Sequence, residues 1–128
     1  MRGQVNSNRE AELIIRVYGP SGTFLDITAT IDTGFTGMLI LPESAVLALG
    51  LEWLTSSGGV LADGTALELE TYKAEMEWYG QYLLVEIMAV GTEPLIGMAL
   101  LEDSELRIEI RVGGEVELNP LGTSGVSP

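Results

Sequence analysis

Apolar residues in this chain recur mostly at every second position, in short runs punctuated by glycine and proline, and a pattern of period two specifies strands. Glu12–Tyr18 and Phe24–Ile31 flank Gly19-Pro20-Ser21-Gly22 and read as a hairpin. Gly37–Leu41 is a short buried strand. Val60–Ala62 and Ala66–Tyr72 flank Asp63-Gly64, a pair suited to a type I′ turn, and Glu75–Tyr79 and Tyr82–Val90 form another hairpin around Gly80-Gln81. Pro94–Gly97 is a short apolar strand, and Leu106–Val112 and Glu115–Leu118 close around Gly113-Gly114. Helical signals are few. Pro42 opens a stretch over Glu43–Leu49 that Gly50 closes, and Met98–Glu102 is one turn at most. The expectation is an all-β domain with one or two short helices.

With 128 residues, 46% of them hydrophobic and 20% charged, the chain is long enough for one domain with a real core. We expect an N-terminal arm over residues 1–9, the domain over 10–118 and a flexible tail over 119–128. The N-terminus has no apolar stretch behind Arg2, and no uncharged run approaches the ~18 residues that span a bilayer. The expectation is therefore a cytoplasmic protein without membrane contact. Nineteen acids against six bases give a net charge of −13, which disfavours nucleic acid and anionic membranes as partners.

The chain has no cysteine and no histidine. That excludes disulfides, thiol nucleophiles, Ser-His-Asp chemistry and His- or Cys-ligated metals. Glu68, Glu70, Glu75 and Glu77 read as a solvated sheet face rather than a metal site, and Trp53 and Trp78 as core or interface packing rather than binding platforms. No phosphate-cradling loop is present, because Gly34 and Gly37 lack a following Lys. Neither cofactor nor metal is expected, so any proton transfer falls to carboxylates, Lys, Tyr, water or a partner.

One segment carries chemistry. In Ile27-Thr28-Ala29-Thr30-Ile31-Asp32-Thr33-Gly34 an apolar strand ends in an acid, a hydroxyl residue and a glycine. The strand sets Asp32 where its pKa can be moved, Thr33 can lock a tight loop, and Gly34 lets backbone N–H groups approach the carboxylate.

The wider pattern resembles the retropepsin-like aspartic proteases, in particular their bacterial single-domain branch. Three features carry the resemblance, in the family's order: Phe24–Gly34 as a strand entering the catalytic loop, the hairpin Gly58–Tyr72 with Ala62-Asp63-Gly64-Thr65 at its tip, and Pro94-Leu95-Ile96-Gly97-Met98-Ala99-Leu100-Leu101 as an apolar strand entering a short helix. The stretch Asp32–Pro42 is especially like the bacterial branch. Two positions depart from the retroviral pattern. Phe35 and Thr36 stand where retroviral members carry Ala and an acid, and Met98 stands where they carry the Arg that supports that acid. Both halves of one ion pair are missing together.

The resemblance implies a closed β-barrel of the acid-protease fold with a flap hairpin, and aspartic endopeptidase activity on polypeptide. It implies Asp32 as the catalytic acid, Thr33 and Gly34 as support for the catalytic loop, Leu61, Ala62, Asp63 and Gly64 as a flap over substrate, Leu95 in a side-chain pocket and Thr36 near the substrate backbone. Such enzymes need two carboxylates sharing a proton, and this chain has a single Asp-Thr-Gly. Asp63, in Ala-Asp-Gly-Thr order at a hairpin tip, reads as a turn residue rather than the second acid. A C2 homodimer contributing Asp32 from each copy is the remaining solution. The rival reading is a catalytically inactive dimer of the same fold that binds peptides or serves assembly.

Overall fold

The computed structural model describes residues 1–60 and 63–122, and in it the period-two runs become strands. In chain order these are β1 (Arg2–Val5), β2 (Ala11–Tyr18), β3 (Phe24–Ile31), β4 (Leu39–Leu41), α1 (Glu43–Leu49), β5 (Glu52–Val60), β6 (Ala66–Trp78), β7 (Gln81–Ala89), β8 (Leu95–Ile96), α2 (Met98–Leu101), β9 (Ser104–Ile108) and β10 (Glu115–Pro120).

Strand alternation explains the core. Along β2, Ala11, Leu13, Ile15 and Val17 are buried, while Glu12, Ile14, Arg16 and Tyr18 turn outward. The sheet order β6-β7-β4-β8-β3-β2 returns on itself because Val17 and Tyr18 of β2 pair with Met76 and Glu75 of β6. Six strands thus close a barrel around Leu13, Val17, Leu39, Met76 and Ile87, all 2% exposed or less. Outside the ring, β5 pairs only with β6, and β1, β10 and β9 extend from the free edge of β2. Residues 1–9, read from sequence as an arm, therefore contribute a strand seated between β2 and β10.

The outer face of β2 and β3 is held by a cross-strand pair. The Arg16 guanidinium donates to both carboxylate oxygens of Asp26 at 2.8 and 3.0 Å and lies 4.0 Å from the centre of the Phe24 ring. Helix α1 has the expected bounds, with Pro42 one position earlier than a first helical residue, extended at φ −66°, and Gly50 left-handed at φ 63°.

Three local readings are corrected. The stretches Ala66–Tyr72 and Glu75–Tyr79 are parts of one 13-residue strand, β6. Glu68 and Glu70 therefore point to the opposite face from Glu75 and Glu77, so they do not share one face. The two-residue turn with both central residues at positive φ is Tyr79-Gly80 (52° and 74°), between the paired Trp78 and Gln81. At Asp63-Gly64 only Gly64 has positive φ, and the strand pairing runs to Val60 opposite Ala66, so these two residues are not a two-residue turn between paired neighbours. Finally, β9 stops at Ile108, because Arg111 N–H turns back to the Glu109 carbonyl at 2.8 Å. Trp78 is buried as expected, but Trp53 is 58% exposed.

Burial at the barrel axis sets the stability expected of it. Ile87→Ala should cost about 2–5 kcal/mol in urea unfolding. Ile14→Ala, at a position 74% exposed, should stay within about 0.5 kcal/mol.

Candidate active site

The site forms where β8 passes between β3 and β4. Thr30 and Ile31 of β3 pair in parallel with Leu95 and Ile96 of β8, whose other edge pairs antiparallel with Leu39 and Ile40 of β4. The chain from β3 to β4 must therefore loop over the end of β8, and Asp32 is the first residue of that loop. Its backbone N–H donates to the Ile96 carbonyl at 2.8 Å, which extends the ladder by one residue and fixes where the side chain leaves the strand.

The loop is held by its own backbone groups. Gly34 N–H donates to Asp32 Oδ1 at 2.9 Å, and Phe35 N–H to the Asp32 carbonyl at 3.1 Å. Return bonds come from the segment after β8: Gly97 N–H to the Met38 carbonyl (3.0 Å), Met98 N–H to Phe35 (2.7 Å) and Ala99 N–H to Gly37 (3.1 Å). The two segments lie so close that a Cβ on Gly97 would sit 2.2 Å from the Gly37 carbonyl oxygen and 2.4 Å from a Phe35 ring carbon. A Cβ on Gly37 would meet the same ring at 2.6 Å. Phe35, which departs from the retroviral pattern, thus packs where these two glycines leave room. Nothing within the sequence around Phe35 signals this packing, because Gly97 lies 62 positions away.

Asp32 is half-buried, and among the described residues Oδ1 is its one carboxylate oxygen with a hydrogen-bond partner. A Cβ on Gly34 would approach that oxygen to 3.2 Å, so glycine keeps the carboxylate accessible from this side. Thr33 and Thr36 are exposed, and neither hydroxyl has a partner among the described residues. Leu95 is half-buried on β8, one position before the strand end beside Asp32. Asp32, Thr33, Gly34, Thr36 and Leu95 are therefore gathered at one end of the β3–β8–β4 arrangement.

The hairpin of β5 and β6 carries the remaining candidates. Leu61 and Ala62 lie outside the described residues. Asp63 is exposed, accepts Thr65 N–H at 2.9 Å, and is followed by left-handed Gly64. Bonds from Thr65, side chain first and then backbone, hold the Asp63 carboxyl below the usual carboxylate range. It is an acid committed to a turn.

Sequence reasoning missed a polar clasp on this hairpin. Glu70 accepts the Ser56 hydroxyl at 2.7 Å and the Trp53 indole N–H, joining β6 to β5. These bonds, Ser56 first, hold the Glu70 carboxyl below its ordinary value. The register shift between Trp53 and Thr55 is what brings a tryptophan and a serine to one carboxylate, and no sequence pattern announces it.

Among the described residues no three Asp or Glu side chains converge to hold a metal, and no helix is long and apolar enough to cross a membrane. A cavity of about 520 Å³ opens between the β2–β3 turn and β7, lined by Tyr18, Pro20, Lys73, Tyr82 and Leu84. It lies at the other end of β3 from Asp32, and none of the candidate residues lines it.

No protein-family model matches the chain, and no curated protein is similar to it in sequence. Solved structures are similar. A retropepsin-like aspartic protease from Rickettsia conorii superposes with a TM-score of 0.58 at 16% identity, over 93% of this chain and 90% of that one. EIAV protease complexed with the inhibitor HBY-793 superposes with a TM-score of 0.52 at 17% identity, over 77% of this chain and 90% of that one. The chain has the retropepsin-like fold.

The Glu70 clasp gives a pH signature. A carboxyl whose folded pKa is depressed contributes stability that is full above its unfolded value, here near 4.5, and is lost as pH falls through the lower folded value. Acidification below pH 4.5 should therefore shift Trp53 fluorescence, and Glu70→Gln should abolish that transition while buried Trp78 supplies an unchanged background.

Proposed function

We propose that this chain, with its retropepsin-like fold, is an aspartic endopeptidase that works as a homodimer, each copy contributing one Asp32. The observation that carries the reading is the placement of Asp32-Thr33-Gly34 at the end of β3, with Asp32 N–H tied to Ile96 and its Oδ1 to Gly34 N–H. The aspartic proteases among the similar structures support it.

The chemistry follows from pairing two such groups. Like charges a few Å apart cannot both ionise, so two carboxylates brought together retain one proton between them, as aspartic proteases are known to do. The ionised member takes a proton from water as the water attacks the scissile carbonyl. The protonated member donates to the carbonyl oxygen, and the proton passed on then serves the leaving amine. No histidine, thiol or metal is needed. Gly34 N–H, already on Oδ1, fixes the orientation of the carboxylate.

Thr33, exposed at the mouth of the site, is in reach of a second copy in this reading, with Thr36 and Leu95 facing substrate. The β5–β6 hairpin, with Leu61–Gly64 at its tip, is the flap, and β5 has one edge unpaired. An extended polypeptide can pair with such edges while alternate side chains fill pockets, and an apolar Leu95 favours hydrophobic ones. The same reading places the enzyme in the cytoplasm.

Asp32→Asn tests it. Wild-type protein should cleave an unstructured polypeptide at about pH 4–6, and the variant should be slower by about 10²–10⁴-fold or more, the scale of a lost general acid–base. Equal peptide binding by both proteins without cleavage by either would replace this reading with that of a binding module.

A further inference from the structure

The outward face of four neighbouring strands sets aromatic and charged residues side by side. β3 pairs with β2, β2 with β6 and β6 with β7, which aligns Phe24, Tyr18, Glu75 and Leu84 in one row across the barrel wall. In the next row Asp26 stands opposite Arg16, and Glu77 opposite Tyr82. The Tyr18 ring meets both of its aromatic neighbours, its centre 5.8 Å from that of Phe24 and 5.4 Å from that of Tyr82. The cavity of about 520 Å³ opens beside this row, where Pro20, Tyr82 and Leu84 give it apolar walls and Glu75 gives it a carboxylate.

One end of the row already shows what such a surface holds. The Arg16 guanidinium lies 4.0 Å from the centre of the Phe24 ring and donates to both carboxylate oxygens of Asp26. A planar cation stacked on a ring and forked onto a carboxylate satisfies its charge and its flat faces together. At the cavity the same two ingredients stand without a cation. Tyr82 is 68% exposed, and Glu75 has neither a hydrogen-bond nor an ion-pair partner among the described residues. Its neighbours are engaged: Glu77 accepts the Tyr18 hydroxyl at 3.0 Å, and Glu52 accepts Lys73 at 3.0 Å. Both bases of this face, Arg16 and Lys73, are thereby taken. With Glu86 opposite Lys73, acids outnumber bases here, and the net charge of −13 draws basic segments toward the chain.

We infer that this cavity binds the guanidinium of an arginine carried on a polypeptide, stacked on Tyr82 and paired with Glu75. The volume is several times that of a guanidinium group, so Pro20 and Leu84 have room to pack against the residues on either side of the arginine. The site is separate from Asp32, and it holds its peptide whether or not the chain cleaves one.

Amide NMR of the intact chain, titrated with acetyl-Gly-Arg-Gly-amide, tests the inference. Shifts should saturate at Glu75, Tyr82 and Leu84. The citrulline peptide, which keeps the shape and loses the charge, should bind about fivefold more weakly or worse, and the lysine peptide about threefold, because an ammonium does not present a flat fork. Glu75→Gln and Tyr82→Leu should each weaken the arginine peptide by about threefold or more. Lys73→Gln, which removes a competing cation and frees Glu52, should tighten it by about the same factor. All three side chains are exposed, and an unchanged spectrum away from the cavity checks that each variant keeps its fold.

Citrulline or lysine peptides that bind as tightly as the arginine peptide overturn the inference, as do Glu75→Gln and Tyr82→Leu proteins that bind like wild type. Shifts confined to Gly34, Phe35 and Thr36 overturn it too, by placing the peptide at the Asp32 loop. Saturation at Tyr82 in a protein that cleaves nothing would support this site and remove only the catalytic reading.

Discussion

The close approach of Gly97 to the Gly37 carbonyl is the contact on which the rest of the site depends. It allows three successive N–H groups, those of Gly97, Met98 and Ala99, to reach the carbonyls of Met38, Phe35 and Gly37. With those bonds made, the segment after β8 is fastened to the loop before β4, and β8 stays between β3 and β4 although only two residues of it form strand. Closure of the barrel runs through this short strand, because the ring passes from β3 to β4 only by way of β8. The backbone of Asp32 is held beside them, its N–H on the Ile96 carbonyl and its own carbonyl accepting Phe35 N–H. A side chain at position 97 would separate the two segments, and both barrel closure and carboxylate placement would go with them.

What was legible in the residues was local. Helix α1 could be bounded because proline and a left-handed glycine mark its ends with backbone constraints that no tertiary contact needs to supply. The acid, hydroxyl and glycine at the end of an apolar strand located the site for the same reason, since each residue type has a job within a few positions of the others. Phe35 looked like a departure from pattern, and its role depends on glycines two and 62 positions away, which only the folded chain brings beneath one ring. Β-strand continuity was harder. Lys73 and Ala74 looked like a break between two hairpins, yet β6 runs through them because both of its edges are occupied at that point, by β5 and β7. The Glu70 clasp was invisible for a related reason: a register irregularity in β5 decides which side chains reach that carboxylate.

The composition takes its meaning from this architecture. A carboxylate that must work without histidine, cysteine or metal has to obtain its proton-sharing partner from another carboxylate, and one copy of this chain places a single Asp at the end of β3. In the proposed dimer, symmetry resolves that shortage at the site and creates a problem everywhere else, since two acidic surfaces must be brought together. Charges more than about 8–10 Å apart are screened at ordinary salt, so the cost of that approach is confined to the acids that come to lie close across the contact.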